Sequence, residues 1–208
     1  MTSRFQAQVI IGIAVLVWAL MLLTEGVTLK ASYLQPYSLA VGVVILLLFA
    51  FDHWLWRIPL LARVLHCPLL RGTWRGQLRS TWKDSTTSQG IEPIDVFLVV
   101  RQTYSTISQR LMTKESSSRS LVASLEVSRD EVPTLSSMYQ NVPDLLKQGR
   151  SRIHHGALML EVQGNPANRL KGYYWTDRDT KGEVSLDARS KKVYTSFDEA
   201  AAAIWPSS

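Results

Sequence analysis

The chain has 208 residues, 46% of them apolar, and its 23 lysines and arginines outnumber its 17 aspartates and glutamates by six. Cys67 is the only cysteine, which excludes an internal disulfide and a thiolate metal cluster. The positive balance suits an anionic lipid or a phosphorylated ligand as partner, and it is equally common on a plain solvated surface.

The apolar residues are unevenly placed. Residues 9–23, VIIGIAVLVWALMLL, carry no polar side chain, and the uncharged stretch runs over 5–24. A second uncharged stretch, 31–51, is centred on LAVGVVILLLFAF. About twenty residues of helix cross a hydrocarbon core of roughly 30 Å, and backbone groups in lipid must be satisfied within the segment. Arg4 resembles the start of a signal peptide, but no small-residue cleavage site follows Leu23 and the second stretch would still need a reason. The pattern therefore predicts a retained hairpin of two transmembrane helices over residues 1–52. Its connection, TEGVTLK, holds only Glu25 and Lys30, whereas Arg4 precedes the hairpin and Arg57, Arg63, Arg71, Arg75 and Arg79 follow it. Positive flanks around a neutral loop place both termini in the cytoplasm. Trp54 and Trp56, with Tyr37, suit the two interfaces of the second helix.

Residues 53–69 form a linker in which Arg57, Pro59 and Arg63 interrupt leucines and tryptophans. Such a segment lies along the headgroup layer or packs as a plug against the following domain.

From Leu70 the period changes to two. In RGTWRGQLRSTW, Gly72, Trp74, Gly76, Leu78, Ser80 and Trp82 alternate with polar residues, the pattern of a strand with one apolar or small face. Further strands are expected at 94–102, 105–113, 119–128, 134–140, 155–162, 170–176 and 182–187, separated by turn signals at 84–90, 114–118, 164–168 and 180–182. Eight short strands suggest an antiparallel meander over 70–208, and closure into a minimal barrel would remove its exposed edges. Residues 141–149 suit one helical turn near Asp144. A short C-terminal helix from about Asp198 should plug the barrel or pack on its side through Ile204 and Trp205. Trp74 is expected in the barrel floor.

No catalytic motif is present. His154 and His155 are adjacent and point to opposite sides of a strand, and Asp177 and Asp179 beside a turn form a charged rim more readily than a cation site. The densest polar and aromatic cluster is KGYYWTDRDTKGE, where alternation groups Tyr174, Thr176, Arg178 and Thr180. An aromatic plane, hydroxyls and a guanidinium can stack on a base and pair with a phosphate, or can be the core and surface of a final hairpin. Tyr139 and Asn141 form a second polar patch. On residues alone, a ligand sensor, a constitutive membrane-tethered β-barrel scaffold and a small-apolar-ligand carrier all remain open.

Two amino-terminal apolar stretches, then a strand-rich domain opening LLRGTWRG and closing near YYWTDRDTKGEVSL, make the whole chain resemble a known family. It is similar to the two-transmembrane, β-strand-rich effectors of bacterial cyclic-oligonucleotide anti-phage (CBASS) systems, the CD-NTase-associated protein fifteen family. Trp74, Gly76, Tyr139, Asn141, Pro143, Gly172, Tyr174, Thr176, Arg178, Thr180 and Gly182 are the family-like positions. The resemblance implies an eight-stranded, lipocalin-like barrel that binds a cyclic dinucleotide made by a companion nucleotidyltransferase. The residues themselves favour binding over turnover, so no enzyme activity, no metal and no DNA or RNA polymer as partner is expected. The resemblance further implies a homo-oligomer on activation that disrupts the bacterial inner membrane among its lipids. Under it, Arg178 would meet a phosphate, Tyr174 or Tyr139 would stack on a base, and Thr176, Thr180 and Asn141 would supply hydrogen bonds.

Overall fold

A computed structural model describes residues 12, 15, 20, 31–58, 60–61, 65, 67–82, 90–127, 132–147 and 151–205. The chain divides into two compact units. One comprises Met1–Leu61 with Thr103–Thr106, and the other Ala62–Gln102 with Ile107–Ser208.

The first unit contains helix α1, Ala31–His53. Among the described residues no helix is long and apolar enough to cross a membrane. This corrects the expected transmembrane hairpin and, with it, the multi-pass inner-membrane placement with cytoplasmic termini. The reason lies in how α1 begins: Ser32, Gln35, Pro36 and Ser38 occupy its first turns, so the unbroken apolar run starts at Leu39. From there to Phe51 the helix rises only about 20 Å at 1.5 Å per residue, against a hydrocarbon core of roughly 30 Å. The first expected span and the loop after it lie outside the described residues apart from 12, 15 and 20. The end of α1 is stitched to the tetrapeptide Thr103–Thr106. Asp52 Oδ1 accepts from the Ser105 N–H at 2.8 Å, the Asp52 carbonyl accepts from the Tyr104 N–H at 3.0 Å, and Phe51 meets the Tyr104 ring edge-on at 5.1 Å. A single 3-10 turn, Leu55–Arg57, follows. Its Trp56 is fully buried, unlike an interfacial tryptophan, whereas Trp54 is exposed. Of the expected linker 53–69, residues 59, 62–64 and 66 lie outside the described residues.

The second unit is a closed antiparallel barrel. Its strands are β1 Gly72–Ser80, β2 Ile94–Gln102, β3 Ile107–Met112, β4 Ser116–Glu126, β5 Thr134–Pro143, β6 His154–Gln163, β7 Arg169–Thr176 and β8 Lys181–Ser190. Each pairs with the next in sequence and β8 pairs with β1. Strand β3 starts later than its alternation predicts because the Thr103 N–H bonds the Thr106 carbonyl, making a tight turn of those residues. Likewise β5 runs on to Pro143, leaving one 3-10 turn at Leu145–Lys147 in the segment expected to be helical. At the Arg75/Gly76 register shift between β1 and β8, a Cβ on Gly76 would lie 1.9 Å from the Ser185 carbonyl oxygen. Only glycine allows the strands to approach so closely there.

Alternation fixes the two faces of the wall. Inward residues such as Val96, Leu98 and Val100 of β2 join Leu135, Leu158, Leu160, Leu170, Val184 and Leu186 in the interior core. Trp74 is fully buried among them and donates its indole N–H to the Leu70 carbonyl at 2.9 Å, so it is a floor residue as expected. The Arg189 guanidinium lies 5.1 Å from its ring centroid. Gln102 secures the chain's entry, accepting from the Leu70 N–H at 2.7 Å and donating to the Pro68 carbonyl at 3.0 Å.

Outward Phe97 and Val99 of β2 and Met112 of β3 are covered by the chain's own C-terminal segment. Helix α2, Phe197–Ala201, starts at a Ser196 cap whose hydroxyl accepts from the Glu199 N–H at 3.2 Å. It packs on the side of the barrel: Phe197 and Trp205 lie 5.1 and 5.5 Å from Phe97. Ile204, expected to share this contact, is instead 98% exposed. Trp205 alone turns back to the wall, held by a 2.9 Å bond from its indole N–H to the Ala200 carbonyl.

Candidate functional site

A cavity of about 950 Å³ occupies the other end of the barrel, where β1, β3, β5 and β7 end and β2, β4, β6 and β8 begin. That volume lies within the range of small-molecule sites. Its depth is apolar, with Leu78, Ile94, Leu98, Leu111 and Leu158, and its upper wall and rim are polar. Tyr139, Asn141, Tyr174, Thr176, Arg178 and Thr180 all line this one cavity, although they come from two separated stretches of sequence. Strands β5 and β7 bring them together by flanking β6.

Both tyrosines point inward and are at least nine-tenths buried. Each has a glycine as cross-strand partner: Tyr139 pairs with Gly156 and Tyr174 with Gly182. A Cβ on Gly156 would sit 2.5 Å from the Tyr139 hydroxyl, and one on Gly182 would sit 2.8 Å from Tyr174 Cε1, so these glycines make room for the rings. Burial pushes the Tyr139 phenol well above the usual tyrosine range, with Tyr174 and Asp177 adding to the effect. Burial also raises Tyr174, opposed by a hydrogen bond with Ser80. Both phenols therefore keep their protons at neutral pH and present hydroxyl donors to the cavity.

The guanidinium is placed by a turn that alternation alone does not reveal. Strand β7 ends at Thr176, and its hydroxyl accepts from the N–H groups of Arg178 at 3.2 Å and Thr180 at 3.3 Å. Asp179 takes the left-handed conformation, φ 58°. The Thr180 hydroxyl points back to the Arg178 carbonyl at 3.4 Å. Thr176 and Thr180 thus spend their hydroxyls shaping the loop, and Arg178 projects over the rim with Nη1 3.1 Å from Ser151 Oγ. Asp177 turns away and accepts from the His155 N–H at 3.0 Å, the largest cause of its lowered pKa, with the His155 ring 3.5 Å away. Asp177 and Asp179 accordingly form a rim, and among the described residues no group of three or more His, Cys, Asp or Glu side chains could hold a metal.

Several lining residues escape the sequence reading. Asn141 Oδ1 accepts from the Ser118 hydroxyl at 2.8 Å, and Gln109 donates through its side-chain amide to Ser137. The Gln109 Oε1 atom is buried without a partner among the described residues. Ser116, Ser118 and Ser120 put a row of hydroxyl side chains along the inner face of β4, where an ordinary core strand would carry leucine or valine. Serine at every second position of SSSRS was the available signal. Lys114 and His154 join Arg178 among the cationic or titratable lining residues, beside Glu115.

Residues 65–188 match the family model described as Cap15, cyclic dinucleotide receptor domain. No curated protein matches the chain. The matched segment contains all eight strands except the last two residues of β8. The chain belongs to this family: its barrel is a cyclic-dinucleotide receptor domain, a ligand-binding module.

Proposed function

We propose that this member of the Cap15 receptor family senses one cyclic dinucleotide per barrel as the effector of a bacterial anti-phage system. A companion nucleotidyltransferase supplies the nucleotide, and occupancy promotes self-association, membrane disruption and death of the infected cell. The observation that carries the sensing step is a single cavity joining two buried tyrosines, the amide of Asn141 and the guanidinium of Arg178 within the matched segment. Such a cavity can stack a base on an aromatic ring, hydrogen-bond its edge and hold a phosphate by a charge-assisted contact. In this reading Arg178 meets a phosphate, Tyr139 and Tyr174 flank the bases and Asn141 reads a base edge. Thr176 and Thr180 serve chiefly by holding the Arg178 loop.

The output step has its own support in α1. Val43, Val44, Ile45, Leu46, Leu47, Leu48 and Phe49 are each 47–65% exposed, and seven consecutive residues cover every side of a helix. Lipid or other copies of the chain would cover such a surface. Nothing in these chemical requirements calls for catalysis on the nucleotide.

Calorimetric titration of the full chain against a panel of cyclic dinucleotides, with the linear dinucleotides as controls, tests the sensing step. Saturable binding at micromolar Kd or tighter by at least one cyclic member is expected. Absence of binding by every member overturns it.

A further inference from the structure

We infer that the outer face of β4 to β7 is the surface through which copies of this chain associate, in a two-fold arrangement centred at Ala123, beside the exposed Val122. This inference rests on the self-association proposed above and names where it occurs.

The two apolar strips on the outside of the barrel are treated differently. The strip on β2 and β3 is covered by the C-terminal segment. The other is bare: Leu121 is 61% exposed, Val122 65%, Met138 62%, Tyr173 54% and Trp175 44%. Register makes these residues contiguous. Val122 pairs with Met138, Met138 with Ala157 and Ala157 with Trp175, while Tyr173 stacks on Trp175 with ring centroids 6.0 Å apart. The row thus crosses four strands, about 14 Å at the usual strand spacing. Leu121 is added by the register shift between Ser120 and Val122.

Charge identifies the occupant. Strand β4 carries exposed Arg119 on one side of Val122 and exposed Glu126 on the other. Their partners across β5, Gln140 and Thr134, are uncharged, and among the described residues neither makes an ion pair. Those partners are equally far along β5 from Ser137, which pairs with Ala123, so the midpoint of the two charges lies at Ala123, next to Val122. A two-fold axis there sets Arg119 of each copy against Glu126 of the other, so the surface is complementary to itself, as an isologous interface must be. An anionic lipid surface would attract Arg119 and Lys171 but meet Glu126 and Glu161 exposed on the same face, whereas a second copy can match both signs. The apolar row is small beside the roughly 800 Å² per partner of a standard interface, so the contact alone is weak and suits association that ligand occupancy tips.

A charge exchange tests this on the full chain. Sedimentation velocity is run across protein concentration, alone and with cyclic di-AMP, cyclic di-GMP or cyclic di-UMP, while calorimetry with the same nucleotides follows the cavity. Arg119→Glu and Glu126→Arg should each weaken association at least tenfold, the double exchange should return it to within about threefold of wild type, and Met138→Asp should abolish it. At protein concentrations low enough to keep every chain monomeric, nucleotide binding should be the same in all four variants and wild type, since none of these side chains lines the cavity. Single reversals that associate like wild type, or a double exchange that does not recover while binding stays normal, would overturn the surface. A wild-type chain that binds nucleotide but never associates would overturn the assembly step, and this surface with it, while leaving the sensing step intact.

Discussion

At the floor of the barrel, Trp74 is wholly buried under Arg189, its one polar atom satisfied by Leu70, and Gln102 fastens the entering chain with two hydrogen bonds. At the mouth, Leu78 and Leu98 give way to serines, Gln109, Asn141 and a guanidinium around open space. Both ends are built by the same eight strands with the same alternation. The difference lies in what the inward positions carry. Large apolar side chains fill the barrel and supply its stability, whereas small hydroxyl side chains leave volume unfilled and dipoles unspent. A minimal barrel can hold a ligand because one end is packed well enough to allow the other to be hollow.

That contrast can be broken most strongly from below. Trp74→Ala should lower stability by about 3–5 kcal/mol, measured by denaturant unfolding, with ligand binding lost only where the fold is lost. Gly156→Ala should act on both properties, because the added methyl collides with the Tyr139 hydroxyl. A stability loss of about 1–3 kcal/mol should accompany weaker nucleotide binding. At the rim, Arg178→Ala should leave unfolding within about 0.5 kcal/mol of wild type while costing about 1.5–3 kcal/mol of binding, tenfold or more in Kd. Unchanged affinity in that variant would remove Arg178 from the site. The smallest effect belongs to Asp177. Hydrogen bonding from the His155 N–H lowers its folded pKa below the unfolded value, so its contribution is present above about pH 4 and is lost as pH falls through the folded value. Asp177→Asn should slightly flatten the acid limb of the stability profile, read by thermal unfolding between pH 2 and 6.

The floor was far easier to read in the amino-acid sequence than the mouth. Trp74 reads as a wall residue by period and the apolar run Val96–Val100 by composition, and β2 has the bounds expected for it. Burial there follows from each residue's own character. At the mouth, partnership decides the role. Gln109 finds Ser137 and Ser118 finds Asn141 only once β3, β4 and β5 are aligned, and a serine read singly fits a turn as well as a strand. Alternation carried past Thr176 groups Arg178 and Thr180 with Tyr174, and both do line one cavity with it, but through a turn fastened on the Thr176 hydroxyl and not through a continued strand. In α1 the count of uncharged residues overstated the apolar span and not the helix, because tyrosine, serine, glutamine and proline carry no charge yet do not extend an apolar run. The first apolar stretch falls outside the described residues, so the comparison is confined to α1.

The pairing of β8 with β1 has a consequence for counting. With every strand bonded on both sides, no copy can extend another's sheet, and no nucleotide has to be shared across a seam between sheets. A copy that joined the proposed assembly through the outer surface of the wall would bring its own vessel intact. With one nucleotide per barrel, as proposed, the number of nucleotides bound would equal the number of subunits recruited. Such a sensor would register how much messenger is present as well as whether any is.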